Sequence, residues 1–307
     1  MTRPTKEELI KYNVYYPTDT DFSSYARLLQ SKWRVKYNYP INMVKKSNYG
    51  NFVETEFAKK EKVNFLTPNI RKLVTEKIPV IRAKGGLVGE PRIWNNLLSS
   101  QPLCFNLFGE LSLDLPLTTK YFQKLFPVEV LVVTKIDFEY SSKRDNPDNS
   151  AFDVFVEYLN PNQKKCFIGI ELKFQESLFE ETPGKATKNY NKHNNDYTKM
   201  TIDSNFFKPN TIEKLRLAPI AQIWRDHLLA WNMKHDYFNG FFVFLYPFEN
   251  KECRNGVDIY KEYLSSNDER ITKFYPRDLT KFILTLCELI NTSWTRELEE
   301  RYIVKNS

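Results

Sequence analysis

The chain has 307 residues, 41% of them hydrophobic and 27% charged, which is enough to bury the core of one elaborated domain or two closely joined ones and excludes a disordered chain. Lys+Arg 45 against Asp+Glu 38 leaves a net charge of +7, which suits a polyanionic partner and fits an ordinary basic cytosolic protein equally well. Cys104, Cys166, Cys253 and Cys287 stand apart, the opening MTRPTKEELIKYN has no apolar signal core, and the apolar run Phe238 to Phe248 is too short to span a bilayer. These features argue against a zinc site, a disulfide framework, secretion and membrane insertion, and lead us to expect a cytoplasmic protein with reduced, buried thiols.

In chain order, Asp21 to Lys36 places Phe22, Tyr25, Leu28, Leu29 and Trp33 at helical spacing behind the cap-like Thr18-Asp19-Thr20-Asp21, an amphipathic helix. Lys45 to Lys62 is read as a second helix, and Pro68 opens a third expected to stop before Pro79. Lys84-Gly85-Gly86-Leu87-Val88-Gly89 lacks the Gly-Lys-Ser/Thr ending of a phosphate-binding loop, so it is read as a connector. Glu90 to Leu111 gives two short helices broken near Ser99-Ser100 and Pro102, and Glu129 to Ser141 alternates as a strand. The polar turn from Lys143 to Ser150 follows, open both to a nucleic-acid backbone and to plain solvation. Two runs rich in Phe, Val, Ile and Tyr, Phe152 to Leu159 and Lys165 to Phe174, flank Asn160-Pro161-Asn162-Gln163 and predict a β-hairpin.

Beyond the hairpin, Ser177 to Asn210 is polar and lysine-rich and is read as a functional loop or a set of short helices. Glu213 to Lys234 is a helix with Ile220, Ile223, Trp224, His227, Leu228 and Trp231 along one face, His227 reading as a hydrogen-bonded core residue. Phe238 to Phe248 fits a strand buried on both faces, Ile271 to Tyr275 an edge strand, and Asp278 to about Tyr302 one long helix. Helices, strand, hairpin, helix, strand and helix in that order define an α/β fold, with a mixed central sheet flanked by helices.

The hairpin carries the chemistry. With the loop centred on Asn162, Asp153 falls opposite Glu171, their Cβ atoms about 4.5–5.5 Å apart, and Lys173 shares the face of Glu171. Phe152, Val154, Val156 and Tyr158, with Cys166, Ile168, Ile170, Leu172 and Phe174, form the opposite, apolar face. Two carboxylates this close repel unless a cation lies between them, and Mg²⁺ is a cation of that kind, taking one or two carboxylates plus water and phosphate as ligands. A lysine beside them can position or activate a nucleophile.

Asp153 followed by Glu171-Leu172-Lys173 on a hairpin resembles the PD-(D/E)XK nuclease superfamily, the restriction-endonuclease-like fold, with Phe152 where the name-giving proline would stand. The string SSQPLCFNLFG is similar to a helix in an uncharacterised bacterial branch of that superfamily, whose members are described as restriction endonucleases. The resemblance implies a core of α-β-β-β-α-β over residues 90–250, with helical elaborations over 1–89 and 251–307. It implies Asp153, Glu171 and Lys173 as catalytic residues, with Mg²⁺, or Mn²⁺ in its place, on Asp153 and Glu171 and on the Leu172 carbonyl. Glu110 or Glu90 would be the helix-borne acid that joins the metal, Gln222 a helical glutamine supporting the site, and Gln175 a holder of a water beside it. DNA is the implied substrate, with RNA and a homodimer left open, and Lys185, Lys188, Lys192 and Lys199 are expected to meet its phosphates without reading sequence. Two other readings stay open: a catalytically inactive nucleic-acid-binding protein on the same fold, and a two-carboxylate glycoside hydrolase.

Overall fold

Asn160 closes the central hairpin. Its side-chain carbonyl accepts the N–H groups of Asn162 (3.0 Å) and Lys164 (2.9 Å), and Gln163 turns the chain with a left-handed φ of 57°. The turn fixes the register: Val154 faces Ile170 and Val156 faces Ile168, so the next pair along is Asp153 with Glu171, as the sequence predicts.

The computed structural model describes residues 2–44, 47–141, 150–178 and 193–304. Its elements begin with α1 (Lys6–Lys11), α2 (Asp21–Lys36), β1 (Ile41–Val44), β2 (Ser47–Val53), α3 (Thr55–Glu61), α4 (Pro68–Ala83), α5 (Arg92–Asn95), α6 (Ser100–Leu113) and α7 (Leu115–Leu125). The hairpin region comprises β3 (Val132–Tyr140), β4 (Phe152–Leu159) and β5 (Lys165–Leu172). There follow α8 (Asn194–Ser204), α9 (Ile212–Leu215), α10 (Ala221–Asn232), β6 (Asn239–Tyr246), α11 (Lys251–Glu262), α12 (Glu269–Thr272), β7 (Phe274–Asp278), α13 (Leu279–Leu289) and α14 (Ser293–Tyr302). Among the described residues, one five-stranded sheet runs β3-β4-β5-β6-β7, antiparallel across β3-β4-β5 and parallel across β5-β6-β7. This is the α/β arrangement expected, a mixed sheet flanked by helices on both faces.

Both faces of the sheet are dry. Val154, Ile168, Ile170 and Val243 join residues of α2, α4, α6, α7, α13 and α14 in the larger core, while Phe155, Phe167 and Phe242 join residues of α8, α10 and α11 in the smaller one. The face carrying the acids is therefore covered by a second helical layer, and β6 lies buried between two strands and two helical layers, as its unbroken apolar run implies.

Several elements differ from the sequence reading. Residues 47–53 form β2, paired with β1, and only Thr55–Glu61 is helical, its start capped by the Glu54 carboxylate, which accepts the Glu56 and Phe57 N–H groups; Gly50 in β2 sits where a Cβ would lie 1.9 Å from the Tyr12 carbonyl, a contact only a glycine allows. Helix α4 runs through Pro79, which lies on its exposed face, where water can satisfy the carbonyl that a proline leaves unbonded. Pro102 sits in the first turn of α6, where the missing N–H has no intrahelical partner to lose, so that helix is unbroken there. The helix expected from Glu213 begins at Ala221, after Pro219. The long C-terminal helix is two, interrupted at Thr292, whose side chain and that of Thr295 cap each other's backbone. The edge strand starts at Phe274, since Ile271 and Thr272 belong to α12. Helices α1, α7 and α11 were not anticipated.

Candidate active site

Three strand ends meet at one edge of the sheet. Strict alternation along β3 would send Phe138 and Tyr140 to the same face, yet Phe138 stacks on Phe105 in the larger core and Tyr140 stacks on Phe155 in the smaller one. Glu139, between them, takes a left-handed φ of 49°, a conformation costing an L residue about 1–2 kcal/mol. The reversal also accounts for Phe152, which the sequence reading put with Val154: opposite Tyr140, it joins the smaller core and lays its ring over Gly169.

Each acid of the cluster is held by a specific donor. The Leu172 N–H donates to Asp153 Oδ2 at 2.8 Å. Glu171 Oε1 accepts Lys173 Nζ at 2.8 Å and Gln222 Nε2 at 2.6 Å, the glutamine reaching across from the first turn of α10. Glu139 Oε1 accepts Gln101 Nε2 at 2.6 Å from the first turn of α6. Glu171 is 5% exposed, so the charges interact through little water.

The electrostatics follow from that crowding. Burial, then the charges of Glu171 and Glu139, hold the Asp153 carboxyl well above the usual range, against Lys173 and the Leu172 N–H. Burial pushes Glu139 up to about 7, with Glu171 adding to the shift and Gln101 and Lys173 opposing it. Burial disfavours the Lys173 ammonium, but Glu171, Asp153 and Glu176 outweigh it and raise its pKa above the ordinary lysine value. Lys173 is therefore protonated, and among the carboxyls that outnumber it those of Asp153 and Glu139 hold their protons more tightly than free carboxyls do. Cys104 lies in the same field; burial and the carboxylates of Asp153, Glu171, Glu139 and Glu176 keep it a neutral thiol, unsuited to be a nucleophile.

The donor set fits a hard divalent cation. The hydrogen bonds among the described residues use Asp153 Oδ2 and Glu171 Oε1, leaving Oδ1 and Oε2 as oxygens for an ion. Among the described residues, no three His, Cys, Asp or Glu side chains converge closely enough to hold one directly. Two carboxylates with the balance supplied by water and phosphate is the habit of Mg²⁺ rather than of zinc.

Other sequence candidates fall elsewhere. Glu110 accepts from Thr67 and from Asn69 Nδ2 (3.2 Å) at the start of α4, and Glu90 from Arg82 and from Trp94 Nε1 (3.1 Å), so neither joins the cluster. Gln175 reaches Ser23 Oγ on α2 at 3.2 Å. Lys199 is exposed on α8, while Lys185, Lys188, Lys192 and most of the 143–150 turn lie outside the described residues. His227 is the buried core residue expected, its Nδ1 2.8 Å from Tyr260 Oη and its Nε2 2.7 Å from the Thr272 carbonyl.

Glu139, Gln101 and Glu176 were not foreseen. Glu176 takes the N–H groups of Ser100 (2.7 Å) and Phe174 (2.9 Å), tying the end of the hairpin to the start of α6. On β3, Asp137 and Glu139 share a parity, and nothing in the pattern distinguishes them; Asp137 is paired with Lys77 and Lys135. Only the reversal at Glu139 separates their fates.

A mixed sheet in which one strand opens on Asp and its neighbour closes on Glu-x-Lys defines a restriction-endonuclease-like α/β protein. The family model of the PD-(D/E)XK nuclease superfamily matches residues 17–304, and the chain belongs to that superfamily. The match extends on both sides of the 90–250 core read from the sequence. No curated protein and no solved structure matches the chain.

Proposed function

We propose that the protein is a metal-dependent nuclease that hydrolyses phosphodiester bonds of DNA, with Asp153, Glu171 and Lys173 as its catalytic residues. The observation that carries the reading is the crowding of Asp153 and Glu171 at one strand end with Lys173 2.8 Å from Glu171. Asp153 Oδ1, Glu171 Oε2 and the Leu172 carbonyl would hold Mg²⁺ or Mn²⁺. A divalent ion there supplies charge for the phosphate and lowers the pKa of a bound water. Gln222 and the Leu172 N–H fix the two carboxylates, so little reorganisation is needed on binding. The protonated Lys173 donates toward charge developing on phosphate oxygens or orients the attacking water. The net charge of +7 supports a polyanionic substrate. Segment 90–250 carries this chemistry in the proposal, braced by 1–89 and 251–307.

Incubating plasmid and linear DNA with Mg²⁺ or Mn²⁺ tests the reading. Cleavage by the wild type that disappears in Asp153→Ala and Lys173→Ala is the expected result, and cleavage unchanged in both overturns it. Salt-dependent binding without metal-dependent cleavage would instead favour the inactive nucleic-acid-binding protein.

A further inference from the structure

We propose that Glu139 is a positioning residue of this same site, a third carboxylate that holds the water shell of the divalent cation without touching the cation. The inference rests on the nuclease reading above and adds to it a residue on a different strand.

Three observations converge on Glu139. It sits where β3 reverses its alternation between Phe138 and Tyr140, in a left-handed conformation that ordinary strand residues avoid. Its carboxylate is gripped by an amide whose own orientation is fixed: Gln101 accepts the Gly89 N–H at 3.1 Å, donates to the Leu87 carbonyl at 2.9 Å and donates to Glu139 at 2.6 Å. And the pairing of Phe138 with Val154 and of Tyr140 with Phe152 sets Glu139 opposite Asp153 across β3 and β4, where its charge acts on Asp153 and that of Glu171 acts on it.

A structural role does not explain the charge. A neutral amide at position 139 could accept the same hydrogen bond from Gln101 without adding to the repulsion between Asp153 and Glu171. A third carboxyl beside Asp153 and Glu171 makes sense if a cation occupies the cluster, because the cation's charge favours the ionised form of all three. Direct ligation does not fit, because among the described residues no three such side chains converge on one point. Mg²⁺ dehydrates reluctantly and keeps several waters, whose hydrogens need acceptors. Glu139, held from α6, is placed to be one, as Gln222 from α10 is placed to hold Glu171. Partners of this kind typically change metal affinity by about 10–100-fold.

Isothermal titration of the full-length protein with MnCl₂ tests the inference, using the wild type, Glu139→Gln, Glu139→Asp, Gln101→Ala and Asp153→Asn. Glu139→Gln is expected to weaken Mn²⁺ about 10-fold, Gln101→Ala to weaken it less, and Glu139→Asp, which keeps the charge, to retain more affinity than Glu139→Gln. The metal-free melting temperature of Glu139→Gln should equal or exceed that of the wild type. Mn²⁺ affinity unchanged in Glu139→Gln while Asp153→Asn loses binding overturns the role of Glu139 and spares the nuclease reading. A lowered melting temperature with unchanged affinity overturns it too, assigning Glu139 to the fold alone. A wild type that binds no Mn²⁺, or Asp153→Asn binding like wild type, sinks the metal site itself.

Discussion

Lys173 is the counter-charge to a cluster in which Asp153, Glu171 and Glu139 crowd together. Replacing it with Met removes a donor to the reaction and leaves buried carboxylates uncompensated. Cleavage should fall by about 10²–10⁴-fold, and metal-free stability by about 3 kcal/mol, the first read from DNA cleavage and the second from urea denaturation, while Mg²⁺ should restore part of the lost stability. The pH dependence has a definite sign. Asp153 and Glu139 hold protons more tightly folded than unfolded, so over the interval from 4.5 to about 7 for Glu139 the folded state binds more protons. The cluster's contribution to stability is therefore present at low pH and lost as pH rises. Asp153, Glu171 and Lys173 were legible because a two-residue period and a short turn fix which side chains face each other. Glu139 was not, because a single left-handed residue cancels the period and no composition or spacing announces it.

Gly169 shows how tightly the hairpin is built around its acids. A Cβ there would lie 2.5 Å from the ring of Phe152, so Gly169→Ala should destabilise the protein by about 1–3 kcal/mol through overpacking. Adding Phe152→Leu to the same chain should recover part of that loss, and non-additive denaturation energies would reveal the coupling. Strands β4, β5 and β6 were legible because burial on one or both faces imposes strong apolar patterns. The breaks at Thr292 and Pro219 and the passage of α4 through Pro79 were harder, since capping and exposure decide them and both depend on the neighbouring layer. Helix α10 gives a second measurable consequence through His227. Its burial pushes the pKa down to about 3, so the ring is neutral, its Nε2 donating to the Thr272 carbonyl and its Nδ1 accepting from Tyr260. Below the unfolded value of 6.5 the unfolded chain takes up a proton that the folded one refuses. Stability should thus fall by about 1.4 kcal/mol per pH unit from this group, and His227→Gln should abolish that slope in denaturation curves taken at pH 7 and pH 5, even though it loses native hydrogen bonds.

Arg301 joins regions far apart in the chain. The fully buried guanidinium donates to Gln30 Oε1 (2.8 Å) on α2 and to the Asn64 carbonyl (2.9 Å) and side chain, and it packs 4.4 Å over the Trp33 ring. Gln30 Nε2 returns a hydrogen bond to the Arg301 carbonyl at 2.6 Å, and Asn106 on α6 links the Asn64 carbonyl to Tyr302 Oη, each at 2.9 Å. These hydrogen bonds go to neutral acceptors, so the desolvated cation is held by geometry and by aromatic faces, and burial lowers its pKa. The larger core runs from Phe22 to Val304 through the sheet. Residues before and after the hairpin therefore complete one packed body, and the terminal helices cannot melt without exposing the layer that backs the acids. Arg301→Ala should leave Gln30 and Asn64 unpaired in the interior and cost about 3–5 kcal/mol. Arg301→Lys should recover little of this, because an ammonium lacks the fork that meets several fixed acceptors. If the molecule unfolds as one unit, tryptophan fluorescence and far-UV circular dichroism will give coincident transitions in the wild type and in both variants, shifted together to lower urea. An early fluorescence transition that leaves most of the helical signal intact would instead show that the α2–α14 layer melts separately from the strand ends where Asp153 and Glu171 meet.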